Sequence, residues 1–164
     1  MIDMANVYGG ADNQGYAVTI IGEWIVKNSS KKYQLVVATK VYGEMGSGPN
    51  DRGLSDFHIR VACEASLKRL QLDRIDLYQL HHVDRSVAWE ELWTPVNYLY
   101  MAGKILHVGS CNFAGWQIAA AQETAKRINL SGLVSEQSIY NLQTRFLELE
   151  VLPACSQYRL GVLV

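Results

Sequence analysis

Short apolar runs rich in β-branched residues alternate along this chain with longer stretches whose apolar residues recur at helical spacing, and few architectures accept that alternation. QLVVATK, RIDLYQLHH, KILHVGSCN, GLVSEQS and LGVLV read as strands buried on both faces, the kind found in parallel sheets. Between them, Ala17, Ile20, Ile21 and Trp24 mark one helix face. Ile59, Cys63, Leu67 and Leu70 mark a second, entered through Ser55 as N-cap, and Leu92, Val96 and Leu99 mark a third that ends near Gly103. Strand-then-helix units in series predict parallel βα pairs joined by right-handed crossovers. Pattern by itself leaves open whether these form a doubly wound sheet or part of an eight-stranded barrel. Pro95 interrupts AWEELWTPVNYLYMAG. Its cost inside a helix, about 3 kcal/mol, predicts a restart with Thr94 as cap and Pro95 in the first turn.

The 164 residues, 49% of them hydrophobic, suffice for one core, so a single domain over residues 1–164 is expected. A formal net charge of -1 with both signs interspersed provides no basic stripe for nucleic acid and no polybasic membrane anchor. No apolar run approaches the roughly 20 residues of a spanning helix, and the first residues lack a signal pattern, so no membrane insertion and a cytoplasmic location are expected. The three cysteines, Cys63, Cys111 and Cys155, have no CxxC or metal-ligand spacing and read as reduced thiols.

Polar residues gather at the downstream ends of the strands: Asp3 and Tyr8, then Lys40, then His81 and His82, then Ser110 to Asn112, then Gln137. In parallel α/β folds the loops at that edge converge on one mouth, where ligands bind. If the units are sequential neighbours about 4.8 Å apart, Asp3, Lys40 and His81 meet within ion-pair reach. Such a group can run proton transfer. A tyrosine hydroxyl ordinarily titrates near 10, a neighbouring ammonium favours its phenolate, and an aspartate paired with the ammonium holds it in place. Tyr8 then serves as an acid. Each residue also has a plainer reading: Asp3 as a turn aspartate, Tyr8 as a loop aromatic, Lys40 as a surface cation. His81, His82 and Asp84 suggest a metal, but adjacent strand residues point to opposite faces and do not chelate one ion. The glycines of YGGADNQG and GEMGSG lack a Walker lysine or a GxGxxG after a strand and read as mobile loops.

The segments IDMANVYG, VVATK, DRIDLYQLHHVD, GKILHVGSCNF and SEQSIYNL, in this order and at this spacing, resemble the signature segments of the aldo-keto reductases along essentially the whole chain. The branch related to voltage-gated potassium channel β subunits is the most similar. The resemblance implies a parallel (β/α)8 TIM barrel that binds NADPH without a Rossmann motif. It implies Asp3, Tyr8, Lys40 and His81 as the catalytic tetrad, with hydride transfer to an aldehyde or ketone and Tyr8 protonating the carbonyl oxygen. Lys40 paired with Asp3 would tune Tyr8, and His81, the first histidine after the strand, would orient the carbonyl. Asn112 and Gln137 match residues that hold the nicotinamide carboxamide.

Two positions depart from the family's pattern. Cys111 stands where a serine is usual beside the asparagine, and a thiol is a poorer hydrogen-bonding group at the cofactor site than a hydroxyl. Met4 replaces the usual threonine after the aspartate. Matched to the family, the chain runs from near the end of the second barrel strand to the seventh, so an incomplete barrel of about strands 2 to 7 is expected. Two open sheet edges then invite self-association. The resemblance therefore implies a carbonyl reductase acting on a small substrate. The alternatives are a truncated non-catalytic module and a regulatory binding protein like a channel β subunit.

Overall fold

A computed structural model describes residues 1–10 and 13–164. Ala11 and Asp12, within the glycine-rich YGGADNQG stretch, lie outside the described residues. Among the described residues, six strands form one sheet in sequential order. They are β1 (Ile2–Asp3), β2 (Val37–Val41), β3 (Ile75–Leu80), β4 (Ile105–Cys111), β5 (Leu133–Gln137) and β6 (Gly161–Leu163). Every neighbouring pair is parallel. The connections carry α1 (Tyr16–Lys27), α2 (Asp56–Leu70), α3 (Trp89–Met101), α4 (Gly115–Arg127) and α5 (Val151–Tyr158).

The sheet is curled. Asp3 on β1 and Gln137 on β5 stand four strand spacings apart, which in a flat sheet is roughly 19 Å. Yet Gln137 Nε2 donates to Asp3 Oδ2 at 3.0 Å, a gap no pair of side chains closes unless the sheet bends around. The result is a partial barrel of six parallel strands, the incomplete (β/α)8 form expected, with β1 and β6 as its edges.

The core lies between the outer face of this sheet and the helices. Val37, Val41, Tyr78 and Leu80 meet Val18, Ile59, Cys63, Leu67, Leu92, Val96 and Ile118 there. Two large polar side chains in that layer find partners: Tyr78 Oη donates to the Ile59 carbonyl at 3.2 Å, and Trp93 Nε1 to the Ala121 carbonyl at 3.1 Å. Ser55 caps α2 as expected, its Oγ accepting the His58 N–H at 3.3 Å. Gly103 ends α3 in a left-handed conformation, with its own N–H on the Tyr100 carbonyl and the Lys104 N–H on that of Leu99.

Three expectations are corrected. The buried face of α1 is Val18, Gly22 and Ile25, whereas Ile20 and Trp24 are 45% and 39% exposed. Gly22 decides this: a Cβ there would lie 2.1 Å from the Arg69 carbonyl oxygen, so α1 turns its one bare position toward α2. Pro95 does not restart a helix, because α3 is continuous from Trp89, and burial of Leu92, Trp93, Pro95, Val96 and Leu99 outweighs the lost backbone bond. In the loop 42–55, Asp51 Oδ2 accepts the Gly48 N–H and Met45 N–H reaches the Asp51 carbonyl, while Asp84 Oδ2, beyond β3, accepts the Leu54 N–H. His81 and His82 lie past the end of β3, where side-chain alternation no longer applies, and their rings stack with centroids 4.9 Å apart.

Candidate active site

The parity of the strands puts a polar side chain from each of β1 to β5 on the concave face near the strand's downstream end. Lys40 is in register with Gln79, Gln79 with Gly109, and Cys111 with Gln137, while Asp3 stands one strand further beside Ala38. Five strands thus aim Asp3, Lys40, Gln79, Cys111 and Gln137 into one polar layer at their downstream ends. Main-chain pairing continues just beyond them, with His81 N–H on the Val41 carbonyl at 2.9 Å and Asn112 N–H on the Gln137 carbonyl at 2.9 Å.

Lys40 is the centre of charge. It is 2% exposed, and its Nζ donates to Asp3 Oδ2 at 2.7 Å and to the Met4 carbonyl at 3.1 Å. A desolvated ammonium needs such partners, because an unpaired one costs several kcal/mol. Tyr8 is carried to the same place by the turn after β1, where its N–H reaches the Ala5 carbonyl and its own carbonyl accepts from Ala17. The Lys40 ammonium lies 5.2 Å from the centre of the Tyr8 ring. The His81 ring meets Tyr8 edge to face, with centroids 5.9 Å apart. Burial first, then the neighbouring His82 and the Lys40 charge, push the His81 imidazole down to about 4, against the opposing pull of Asp3, so it is neutral near pH 7.

The second half of the cluster surrounds Gln137. Its Nε2 donates to Asp3, and its Oε1 lies 3.3 Å from Gln79 Nε2 and 3.5 Å from Cys111 Sγ. Burial pushes the Cys111 thiol up to about 12, so it remains a protonated, weak donor. Asn112 is held in a left-handed conformation at φ 58°, which asparagine accepts more readily than most residues. Its Nδ2 reaches the His81 carbonyl at 3.3 Å. Tyr8, Lys40, His81, Cys111, Asn112 and Gln137 together line a cavity of about 350 Å³. Among the described residues, no three His, Cys, Asp or Glu side chains are arranged to hold a metal ion.

All seven residues singled out from the sequence therefore converge. Asp3 joins the cavity-lining six through its contacts to Lys40 and Gln137.

A family model described as the aldo/keto reductase family matches residues 1–164. The chain belongs to the aldo/keto reductase family. An uncharacterized oxidoreductase of Bacillus subtilis, YrpG, is 46% identical over 164 residues, covering 98% of this chain and 50% of the relative. A probable voltage-gated potassium channel β subunit of Arabidopsis thaliana is 35% identical over 161 residues, covering 98% of this chain and 48% of that protein. The norsolorinic acid reductase stcV of Emericella nidulans is 31% identical over 167 residues, covering 98% and 42%. The chain spans about half the length of the curated relatives it matches.

Two residues of this aldo/keto reductase site escaped the sequence reading. Gln79 is fully buried, and its Nε2 donates to Asp3 Oδ1 at 2.9 Å. No local signal marks it, because Gln79 stands inside the apolar run of β3. Glu136 is fully buried beneath the site on the opposite face of β5. It accepts from the Ser110 hydroxyl, from Ser138 Oγ at 2.6 Å and from the Phe113 N–H at 3.1 Å, tying the β4 exit to the β5 exit. Burial raises its pKa, with those hydrogen bonds opposing the rise.

Proposed function

We propose that this chain carries the active site of an NADPH-dependent carbonyl reductase, with Tyr8 as the acid that protonates the carbonyl oxygen of an aldehyde or ketone. One observation carries the reading: a buried lysine held by an aspartate on one side and set over the face of a tyrosine on the other, at the mouth of a partial barrel. Lys40 stabilises the negative charge left on Tyr8 Oη when the proton departs, and Asp3 keeps Lys40 from turning to solvent. His81, neutral, keeps an N–H for the substrate oxygen and orients it toward Tyr8.

The donor set suits the nicotinamide end of the cofactor. A carboxamide needs donors and acceptors together, and the side-chain amides of Asn112 and Gln137 present both on the cavity, beside the Cys111 thiol. When bound, the reduced nicotinamide supplies the hydride. The names of relatives support the chemical class, since both an oxidoreductase and a norsolorinic acid reductase align along nearly all of this chain.

Cytoplasmic residence fits the three free cysteines, and no helix among the described residues is long and apolar enough to cross a membrane. β1 and β6 leave their outer backbone groups unpaired, so the chain by itself is expected to self-associate along these edges. A regulatory binding role is the second reading, favoured by the 35% identity to proteins described as probable voltage-gated potassium channel β subunits.

The test is turnover. Extended to its relatives' length, the protein should oxidise NADPH in the presence of small aldehydes or ketones, and Tyr8→Phe should abolish this while NADPH affinity stays within about threefold. Absence of turnover across a broad carbonyl panel with NADPH affinity intact would remove the reductase reading and leave the regulatory one.

A further inference from the structure

We propose that Gln79 is a positioning residue of this site: its side-chain amide holds Asp3 against Lys40 and couples that pair to Gln137, the residue assigned to the cofactor. The inference rests on the reductase reading above.

The geometry uses the whole amide. One N–H of Gln79 reaches Asp3 Oδ1 at 2.9 Å, and the other points to Gln137 Oε1 at 3.3 Å. Its Oε1 faces the Cys111 thiol at 3.8 Å. Both donors and the acceptor are engaged, and only this orientation of the amide satisfies Asp3, which as a carboxylate accepts and cannot donate.

The register neighbour of Gln79 on β4 is Gly109, where a Cβ would sit 2.4 Å from Ser135 Oγ and touch Gln79 Cγ at 3.4 Å. The bare backbone at 109 lets Ser135 of β5 pack closely beside the Gln79 side chain.

The division of labour on Asp3 makes Gln79 necessary. Asp3 Oδ2 receives both Lys40 at 2.7 Å and Gln137 at 3.0 Å, whereas Oδ1 receives Gln79. A Gln137 that turns to bind a carboxamide withdraws one donor from Asp3. Gln79, fully buried and not lining the cavity, remains as the fixed partner that keeps the carboxylate aimed at Lys40. A charge misplaced by about 1 Å in such a site costs on the order of a hundredfold in rate, so a fixed partner matters.

Two variants test this in the protein extended to its relatives' length. Gln79→Leu removes the donor at similar volume and should lower kcat roughly 10- to 100-fold at every pH, with NADPH affinity little changed. Gln79→Glu sets a second carboxyl against Asp3. The two share a proton at low pH and repel once it is lost, so activity relative to wild type should fall as pH rises from 5.5 to 8.5. Its thermal midpoint relative to wild type should fall over the same range. Gln79→Met, unbranched and of similar length, serves as the apolar control if Gln79→Leu does not fold. Wild-type kcat in Gln79→Leu or Gln79→Met, or ratios for Gln79→Glu that do not vary with pH, would overturn the proposal. A wild type that binds NADPH but reduces no carbonyl compound would overturn the reductase reading instead, and the pH dependence of the Gln79→Glu midpoint would still decide the contact with Asp3.

Discussion

A half-buried histidine and a buried lysine within one small cluster set the electrostatics at the residue scale. Burial first, then the neighbouring His82 and the Lys40 ammonium, push His81 down to about 4 by penalising its protonated form. The unfolded chain therefore binds a proton there between about pH 6.5 and 4 that the folded chain does not. The contribution to stability is full above 6.5 and is lost as pH falls toward 4. His81→Asn should flatten the decline of thermal stability with acidification across that window, and histidine resonances followed by NMR should show no His81 titration between pH 5.5 and 8. Lys40 and Asp3 were legible in the sequence because each stands near a strand end, and Tyr8 because it follows in the loop after β1. Gln79 was not, because it stands inside such a run and only the three-dimensional layer shows that its neighbours are Asp3 and Gln137.

At the scale of elements, close helix packing and end capping carry the predictions. Gly22→Ala places a methyl group 2.1 Å from the Arg69 carbonyl, where backbone cannot yield, and should cost about 1–3 kcal/mol in urea unfolding. Ser55→Ala removes the acceptor of the His58 N–H and should cost about 1 kcal/mol. The strands were readable because their runs are short, apolar and bounded by polar residues. Helix α4 was harder: its buried positions are Ile118, Ala121 and Ala125 with Gln117 and Thr124, too few large residues to mark a face. The face of α1 was misassigned for a related reason, since Gly22 carries no hydrophobic signal yet makes the closest contact. Pro95 shows tertiary burial overriding a local penalty, which no window of sequence contains.

Taken whole, the molecule is a curled parallel sheet whose concave face holds the charge cluster and whose convex face holds the apolar core. The order of strands and helices gave parallel βα units and left doubly wound sheet and barrel open; the family resemblance implied the incomplete barrel, and the contact between β1 and β5 shows the curl. Both sheet edges are open among the described residues. Sedimentation of the chain by itself should show association that grows with concentration, and Val162→Lys on β6 should reduce it; concentration-independent monomers would rule out edge pairing. On the proposed reading the cavity bounded by Asn112 and Gln137 takes the nicotinamide of NADPH, and a titration followed by reduced-nicotinamide fluorescence tests this directly. Saturable binding that weakens about tenfold or more in Gln137→Ala is the predicted result. NADPH affinity that is undetectable in a folded sample of full family length, or is unchanged by Gln137→Ala, would contradict it.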